Sequence, residues 1–545
     1  MQKNIMQLLS AMTIEQKVGQ LFVLAFAGQD VEYARYLVRE RHIGGFYLTD
    51  DNAATPQQAQ QLTAALQHQA SLNLCDAPLL LAVDQEGAWG ILTRYLDLGP
   101  GNLALGQVDD TALTQAMYQM FAEQVGNLGY NCILGPCADV NANPDNPIIG
   151  QRSFGACPQL VSRHVVAACQ GIQQAGLLAC AKHFPGHGDT AKDSHQTLPV
   201  VDKSLAQLLQ QDLLPFTAAA GVGVDLMMTS HICYPQLDPK LPATLSAPIL
   251  TQLLTRQLGF DGLVISDSMN MWAMRKQFDP VDAVLLALEA GAHLIMLSEE
   301  HYENQTTDYK ALQQLTLDGV IAAVRQGRLS ESLLDQRLSK VLALRYLKLQ
   351  HSRRHSSKPE HQALARDAAQ RAVRVLRDDN KLLPLRQDAY FISLAQPSNR
   401  LKLVNSRGIG PNDPRAADTE LLLALQQQPF VLEEVSFARL ERFLQQPDQC
   451  FADKPIVAVW QDYPLPGENF DPQQRQRLQV LLQHYPANVL LLCLGPDYLP
   501  AAITPPANSC VCSYSSRWVA ARALADVICK TPEKNLVVDI SKNDG

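Results

Sequence analysis

The sequence predicts a (β/α)8 barrel followed by a smaller α/β domain with a layered open sheet. Three observations carry that expectation. Short apolar runs alternate with amphipathic helical segments through the first two-thirds of the chain, a rhythm that implies parallel strands with right-handed crossovers. There are eight such runs before Gln350, the number that closes a barrel. Several of them end on ionisable or polar residues, where barrel enzymes place their chemistry.

The predicted strands are Leu21–Phe26, Gly44–Leu48, Leu79–Val83, Asn131–Leu134, Leu178–Lys182, Val224–Thr229, Leu263–Ser266 and Leu294–Leu297. Thr111–Leu128, Pro158–Ala175, Leu205–Ala220 and Ala247–Leu258 between them have the spacing of amphipathic helices. One helix is expected over Leu8–Gln20, with Thr13 as a plausible N-cap and Glu15 in its first turn. The barrel domain is assigned to residues 1–349. Residues 350–361 are polar, basic and Ser-rich and read as a linker. The second domain, 362–545, opens with a helical stripe over Leu364–Leu376. Apolar runs follow at Tyr390–Leu394, Phe430–Val435, Ile456–Val459, Val489–Leu494 and Cys510–Ser513, with helical segments at Asp418–Gln427 and Pro472–His484.

At 545 residues, with 47% apolar and 18% charged residues, the chain has material for two cores. A net charge of -9 argues against nucleic acid and anionic membranes as partners. No apolar stretch is long enough to span a bilayer and no signal peptide is evident. The twelve cysteines are scattered, with no C-x-x-C pair, and Cys132, Cys180 and Cys493 lie inside apolar runs. Buried free thiols in a cytoplasmic protein are expected, with no metal and no cofactor.

Chemistry concentrates between Lys182 and His195. Two lysines, three histidines and two aspartates enter a stretch broken by Pro185, Gly186 and Gly188, directly after an apolar strand. In Asp193-Ser194-His195 a carboxylate two residues before an imidazole can fix its tautomer and stabilise its charged form. Asp84, Lys182-His183, Ser230-His231 and Ser266-Asp267 stand at the ends of apolar runs. In a barrel they converge on one face.

Lys182-His183-Phe184-Pro185-Gly186-His187-Gly188, then Asp193-Ser194-His195, resembles the signature of family 3 glycoside hydrolases acting on β-linked N-acetylglucosamine (GlcNAc). The resemblance extends to the ten residues from Asn146 to Gly155, to the strand segment from Leu258 to Asp267, and to Pro242–Ser246, Val224–Met228 and Ile43-Gly44-Gly45. It covers roughly Leu8 to Leu349, and Ala372–Leu385 looks like the entry to the second domain many members carry. It implies a retaining exo-β-N-acetylglucosaminidase acting on muropeptides or chitooligosaccharides, as a monomer or homodimer. Asp267 is then the nucleophile, and His195 paired with Asp193 is the acid/base. Asp84, Arg94, Arg152, Lys182 and His183 are implied as sugar-binding residues. His187 and His231 stay open between lining the pocket and making structural hydrogen bonds, and Met269 and Met271 are expected to pack.

The sequence departs from the family pattern after Asp84-Gln85-Glu86-Gly87. Ala88-Trp89-Gly90-Ile91-Leu92-Thr93 follows, and Arg94 sits two positions late. Either Arg94 reaches the sugar through a longer loop or Trp89 stacks on it. Ser268 also follows Asp267 where many relatives have a second Asp. The sequence also leaves open phosphorolysis at the same site, a metal-dependent barrel hydrolase using His183, His187, His195 and His231, and a non-catalytic sugar-binding protein.

Overall fold

The computed structural model describes residues 5–190, 198–298, 307–349, 360–399, 413, 415–447, 450–462 and 471–530. Its first sheet has eight parallel strands: β1 (Phe22–Leu24), β2 (Gly45–Tyr47), β3 (Leu80–Val83), β4 (Cys132–Ile133), β5 (Leu178–Phe184), β6 (Leu226–Thr229), β7 (Leu263–Ile265) and β8 (Ile295–Leu297). Neighbours run in sequence order from β1 to β7, and β8 pairs back onto β1 through Phe22–Ile295, Val23–Met296 and Leu24–Leu297. The ring closes between β7 and β8 at Ile265 and Leu294, where the Ser266 amide donates to the Leu294 carbonyl at 2.9 Å. All eight strands are buried along their length. Covered by helices outside and packed side chains inside, a strand needs no polar alternation, which is why these strands read as continuous apolar runs.

Local chemistry explains the boundaries. Thr13 does cap a helix: the Gln16 amide donates to its hydroxyl at 3.3 Å while the Gln16 side chain accepts from the Thr13 amide at 2.9 Å. This reciprocal capping box starts a new helix, so the single helix expected over Leu8–Gln20 is two, Ile5–Ala11 and Ile14–Gly19. The segment after β6 is helical over Pro248–Gln257, wound in the wider π form.

The second sheet is built from β9 (Arg374–Asp378), β10 (Ala389–Ser393), β11 (Leu432–Glu434), β12 (Ile456–Gln461), β13 (Val489–Leu494) and β14 (Ser509–Cys512). Its order is β11–β10–β12–β13–β14–β9. Five are parallel, and β9 joins the edge antiparallel to β14. Separate apolar cores lie on its two faces. The helical stripe expected over Leu364–Leu376 is in fact a helix, Glu360–Ala372, followed at once by β9. That helix begins inside the expected linker, whose residues 350–359 lie outside the described residues. Arg371 pairs with Asp110 at 2.8 Å, and Arg374 donates to the Gln107 carbonyl at 2.9 Å, so the start of the second domain is fastened to the barrel.

Candidate active site

Because the strands are parallel, their C-terminal ends open on one side, and the polar residues that end them meet there. Asp84 follows β3; its two carboxylate oxygens accept from Lys182 Nζ on β5 at 2.6 Å and from the Tyr47 hydroxyl on β2 at 2.7 Å. Lys182 Nζ also lies 2.5 Å from Glu86 Oε1. Glu86, with no solvent exposure, takes a two-pronged contact from Arg152, Nε and Nη2 each at 2.9 Å. Two carboxylates and two cations thus form one nearly dry, charge-balanced cluster.

Each ionised group depends on the others. Burial alone would raise Glu86, yet Arg152 and Lys182 hold its carboxyl far below the usual range. Burial would lower Lys182, but Asp84 and Glu86 push it above the normal lysine value. Arg152 is likewise raised against its burial by Glu86. A bidentate guanidinium–carboxylate pair fixes direction as well as charge, so Arg152 is aimed and not merely present. Its guanidinium carbon lies 4.0 Å from the Trp89 ring centroid, and its Nη2 is 3.4 Å from His183 Nε2.

His183 is oriented from behind by Asp139, which follows β4. Asp139 Oδ2 lies 2.7 Å from His183 Nδ1, and Oδ1 accepts the His187 amide at 2.6 Å. Burial would raise Asp139, but His183 and His187 hold it down. The segment Asn146–Gly155 is locked onto this loop: the Asn146 side chain donates through Nδ2 to the His187 carbonyl at 2.8 Å and accepts through Oδ1 from the Ile148 and Ile149 amides. Gly188 has a steric reason, since a Cβ there would fall 1.7 Å from the Val140 carbonyl oxygen.

Asp267 stands two residues past β7, on the same rim. The Thr229 hydroxyl at the end of β6 lies 3.4 Å from its amide, and the Ser268 amide donates to Asp267 Oδ1 at 2.7 Å. His231 sits between Thr244 Oγ1 and the Ser268 carbonyl, each at 2.8 Å, which ties the β6 rim to the loop that carries Asp267. His187 is buried against Thr190 at 2.9 Å, and burial, with His183 nearby, lowers it to about 4. Met269 and Met271 are buried.

The rim therefore brings together Asp84, Lys182, Arg152 and His183. Asp193 and His195 lie outside the described residues. Trp89 is 3% exposed beneath Arg152, so its ring is a platform for the guanidinium and not a free face for a sugar. Arg94 is exposed. Glu86 and Asp139 were not singled out from the sequence. Glu86 was visible within Asp84-Gln85-Glu86-Gly87, but nothing in a lone Asp139 marks it as the partner of a histidine on the next strand.

Among the described residues one group, Cys137, Asp139 and His183, offers three converging metal-ligating atoms. Asp139 Oδ2 already serves both His183 and the Cys137 thiol (3.3 Å), and burial pushes that thiol well above its ordinary value. Metal binding needs the thiolate, so the donor set suits hydrogen bonding. His187 Nδ1 turns to Thr190, and both ring nitrogens of His231 are taken by Thr244 and Ser268.

Comparison with known proteins agrees with this architecture. The glycosyl hydrolase family 3 N-terminal domain matches residues 13–344, and the chain belongs to that family. Beta-hexosaminidase A of Pseudoalteromonas piscicida is 31% identical over 388 residues, 67% of this chain and 64% of that protein. A beta-hexosaminidase of Xylella fastidiosa is 31% identical over 333 residues, 57% of this chain and 95% of its own length. The solved structure of a family 3 beta-N-acetylglucosaminidase from Paenibacillus sp. strain FPU-7 superposes with a TM-score of 0.83 at 29% identity, covering 97% of this chain and 99% of that one. This chain spans just under two-thirds of the Pseudoalteromonas relative.

Proposed function

We propose that the protein is a retaining exo-β-N-acetylglucosaminidase that releases terminal GlcNAc from muropeptides or chitooligosaccharides in the cytoplasm. The observation that carries this reading is the buried, charge-balanced cluster of Asp84, Glu86, Lys182 and Arg152 on the same barrel rim as Asp267. Such a cluster presents aimed, charge-assisted hydrogen bonds to ring hydroxyls and an acetamido group. The names of the relatives, and the twelve free cysteines that suit a reducing compartment, support the substrate and the location.

In this mechanism the Asp267 carboxylate attacks the anomeric carbon while the His195 imidazolium gives its proton to the departing glycosidic oxygen, leaving a glycosyl ester on Asp267. Neutral His195 then takes a proton from water, whose oxygen attacks the same carbon, and the Asp267 carboxylate is released. Two inversions give net retention. An imidazole titrating near ~6.5 serves both directions at neutral pH, and Asp193 steadies its charged form. Lys182, Asp84, Arg152 and His183 hold the sugar.

The test is hydrolysis of an aryl β-N-acetylglucosaminide. Asp267→Ala and His195→Ala are expected to lower kcat/KM by roughly 10³-fold or more. Wild-type rates in both would end the proposal. Product analysis with inorganic phosphate present separates free GlcNAc, the expected product, from the sugar 1-phosphate of a phosphorylase.

A further inference from the structure

Gln151, the residue before Arg152, sends its side-chain hydrogen bonds away from the charged cluster. Its side chain turns the other way and is 93% buried from solvent against the second domain. Its Nε2 donates to the Asp462 carbonyl at 3.2 Å and lies 3.4 Å from Asp462 Oδ2, at the end of β12. Its Oε1 accepts from the Ser516 amide at 3.0 Å and from the Ser516 hydroxyl at 3.1 Å, beyond β14. All of the polar atoms of this amide are therefore committed to two different loops of the C-terminal sheet. Burial raises the Asp462 carboxyl to about 6, so a neutral amide suits it as a partner. Gly495 lets the chain pass so close to Asp462 that an added Cβ would sit 2.8 Å from the aspartate's own.

A second tether acts on the loop after β3. Arg415, paired with Asp413 at 2.8 Å, donates to the Thr93 carbonyl at 2.5 Å, and Arg517 holds Asp413 at 3.0 Å. Between the two tethers, Ala395 and Ala416 of the second domain share one buried apolar cluster with Trp89, Ile148 and Ile149. The C-terminal domain thus grips both barrel arms that aim Arg152: the arm that carries it and the arm whose tryptophan lies beneath it.

We infer that Gln151 is a positioning residue through which Asp462 and Ser516, on the C-terminal domain, set the aim of Arg152. The inference rests on the proposed function for its substrate. Rigid placement of a substrate-binding group is a large lever on rate, since a displacement of about 1 Å can cost roughly 100-fold. An arm that loosens while the nucleophile is untouched weakens ground-state and transition-state binding together, which raises KM more than it lowers kcat.

The experiment uses the full chain and four variants: Gln151→Ala, Ser516→Ala, Gln151→Glu, and Gln151→Glu combined with Asp462→Asn. On an aryl β-N-acetylglucosaminide, Gln151→Ala and Gln151→Glu are expected to raise KM by about tenfold while kcat falls less than about threefold. Ser516→Ala, which keeps the amide donor, has a smaller effect in the same direction. The double variant swaps carboxylate and amide across the interface and is expected to recover KM to within about threefold of wild type. Hydrogen exchange over residues 146–155 reads the grip without substrate, faster in both Gln151 single variants and restored in the swap. Unchanged KM and exchange in a folded Gln151→Ala protein, or no recovery in the swap, overturns the inference. A wild-type protein inactive on GlcNAc glycosides defeats the proposed function instead, and exchange still decides the grip.

Discussion

Replacing Glu86 by Gln keeps the shape of the side chain and removes one charge from the most tightly coupled part of the site. Glu86 has no exposed surface and serves Arg152 at 2.9 Å twice and Lys182 at 2.5 Å. Without it two buried cations share the single carboxylate of Asp84. Removing one partner from a buried ion pair costs about 3–5 kcal/mol, most of it the penalty on the charge left behind. A domain the size of this barrel loses roughly 1.5 °C of Tm per kcal/mol, so Glu86→Gln is expected to unfold about 5–8 °C earlier at pH 7. KM for a GlcNAc glycoside rises as Arg152 loses its fork. The pH dependence carries a sign that separates this from ordinary core damage. Burial would raise the Glu86 carboxyl, but Arg152 and Lys182 hold it well below the unfolded value. Its stabilisation is therefore complete above the ordinary carboxylate range near ~4.3 and is lost as the pH falls below it. The variant should lose that part of the wild type's acid sensitivity, so the two Tm curves converge toward low pH. Calorimetry from pH 8 to 3.5 measures this directly. A variant with wild-type Tm, or a gap that widens in acid, refutes the coupling described here.

Other perturbations follow from the same geometry. His187 is buried and lowered to about 4, so the unfolded chain binds a proton that the folded chain refuses between pH ~6.5 and 4; this stability is intact above ~6.5 and drains as pH falls. His187→Gln should flatten that acid slope in a Tm-versus-pH scan, and an unchanged slope contradicts the assignment. Trp89→Ala removes the ring beneath Arg152 and opens a cavity, at about 3–5 kcal/mol, and should lower kcat/KM more than Arg94→Ala, whose side chain is exposed. Equal kinetic losses would place Arg94 at the sugar. Gly188→Ala drives a Cβ into the Val140 carbonyl and should cost most of the activity together with about 1–3 kcal/mol of stability, read by initial rates beside thermal unfolding.

Much of this molecule is legible in its sequence. The eight barrel strands announced themselves as apolar runs because both of their faces are covered, and the parallel order followed from the helices between them. The meeting of Asp84 and Lys182 also followed, since strand ends in a barrel share a rim, whereas Arg152, in a short turn well past β4, was marked only by the family resemblance. What stayed hidden lies in pairings across the chain. Glu86 and Asp139 act through partners tens of residues away, Arg152 and His183, and no local pattern marks either one. The strand Arg374–Asp378 merged with the helix before it, because Arg374, Leu376, Arg377 and Asp378 are half-buried and its sheet neighbour among the described residues is β14, more than a hundred residues later. The two helices before β1 read as one because the apolar spacing continues through Met12 while the Thr13 capping box breaks the winding. Gln151 carried no signal, because its partners Asp462 and Ser516 belong to the other domain.

At the heart of the proposed mechanism, a carboxylate on the barrel rim, Asp267, bonds to the anomeric carbon of an amino sugar. Incubation with a fluorinated GlcNAc analogue that stalls the covalent intermediate, then peptide mapping by mass spectrometry, tests it most directly. One sugar per chain on the peptide containing Asp267, absent from Asp267→Ala, is the predicted result. A sugar adduct on any other residue, or turnover of a GlcNAc glycoside with inversion and no adduct, would contradict it.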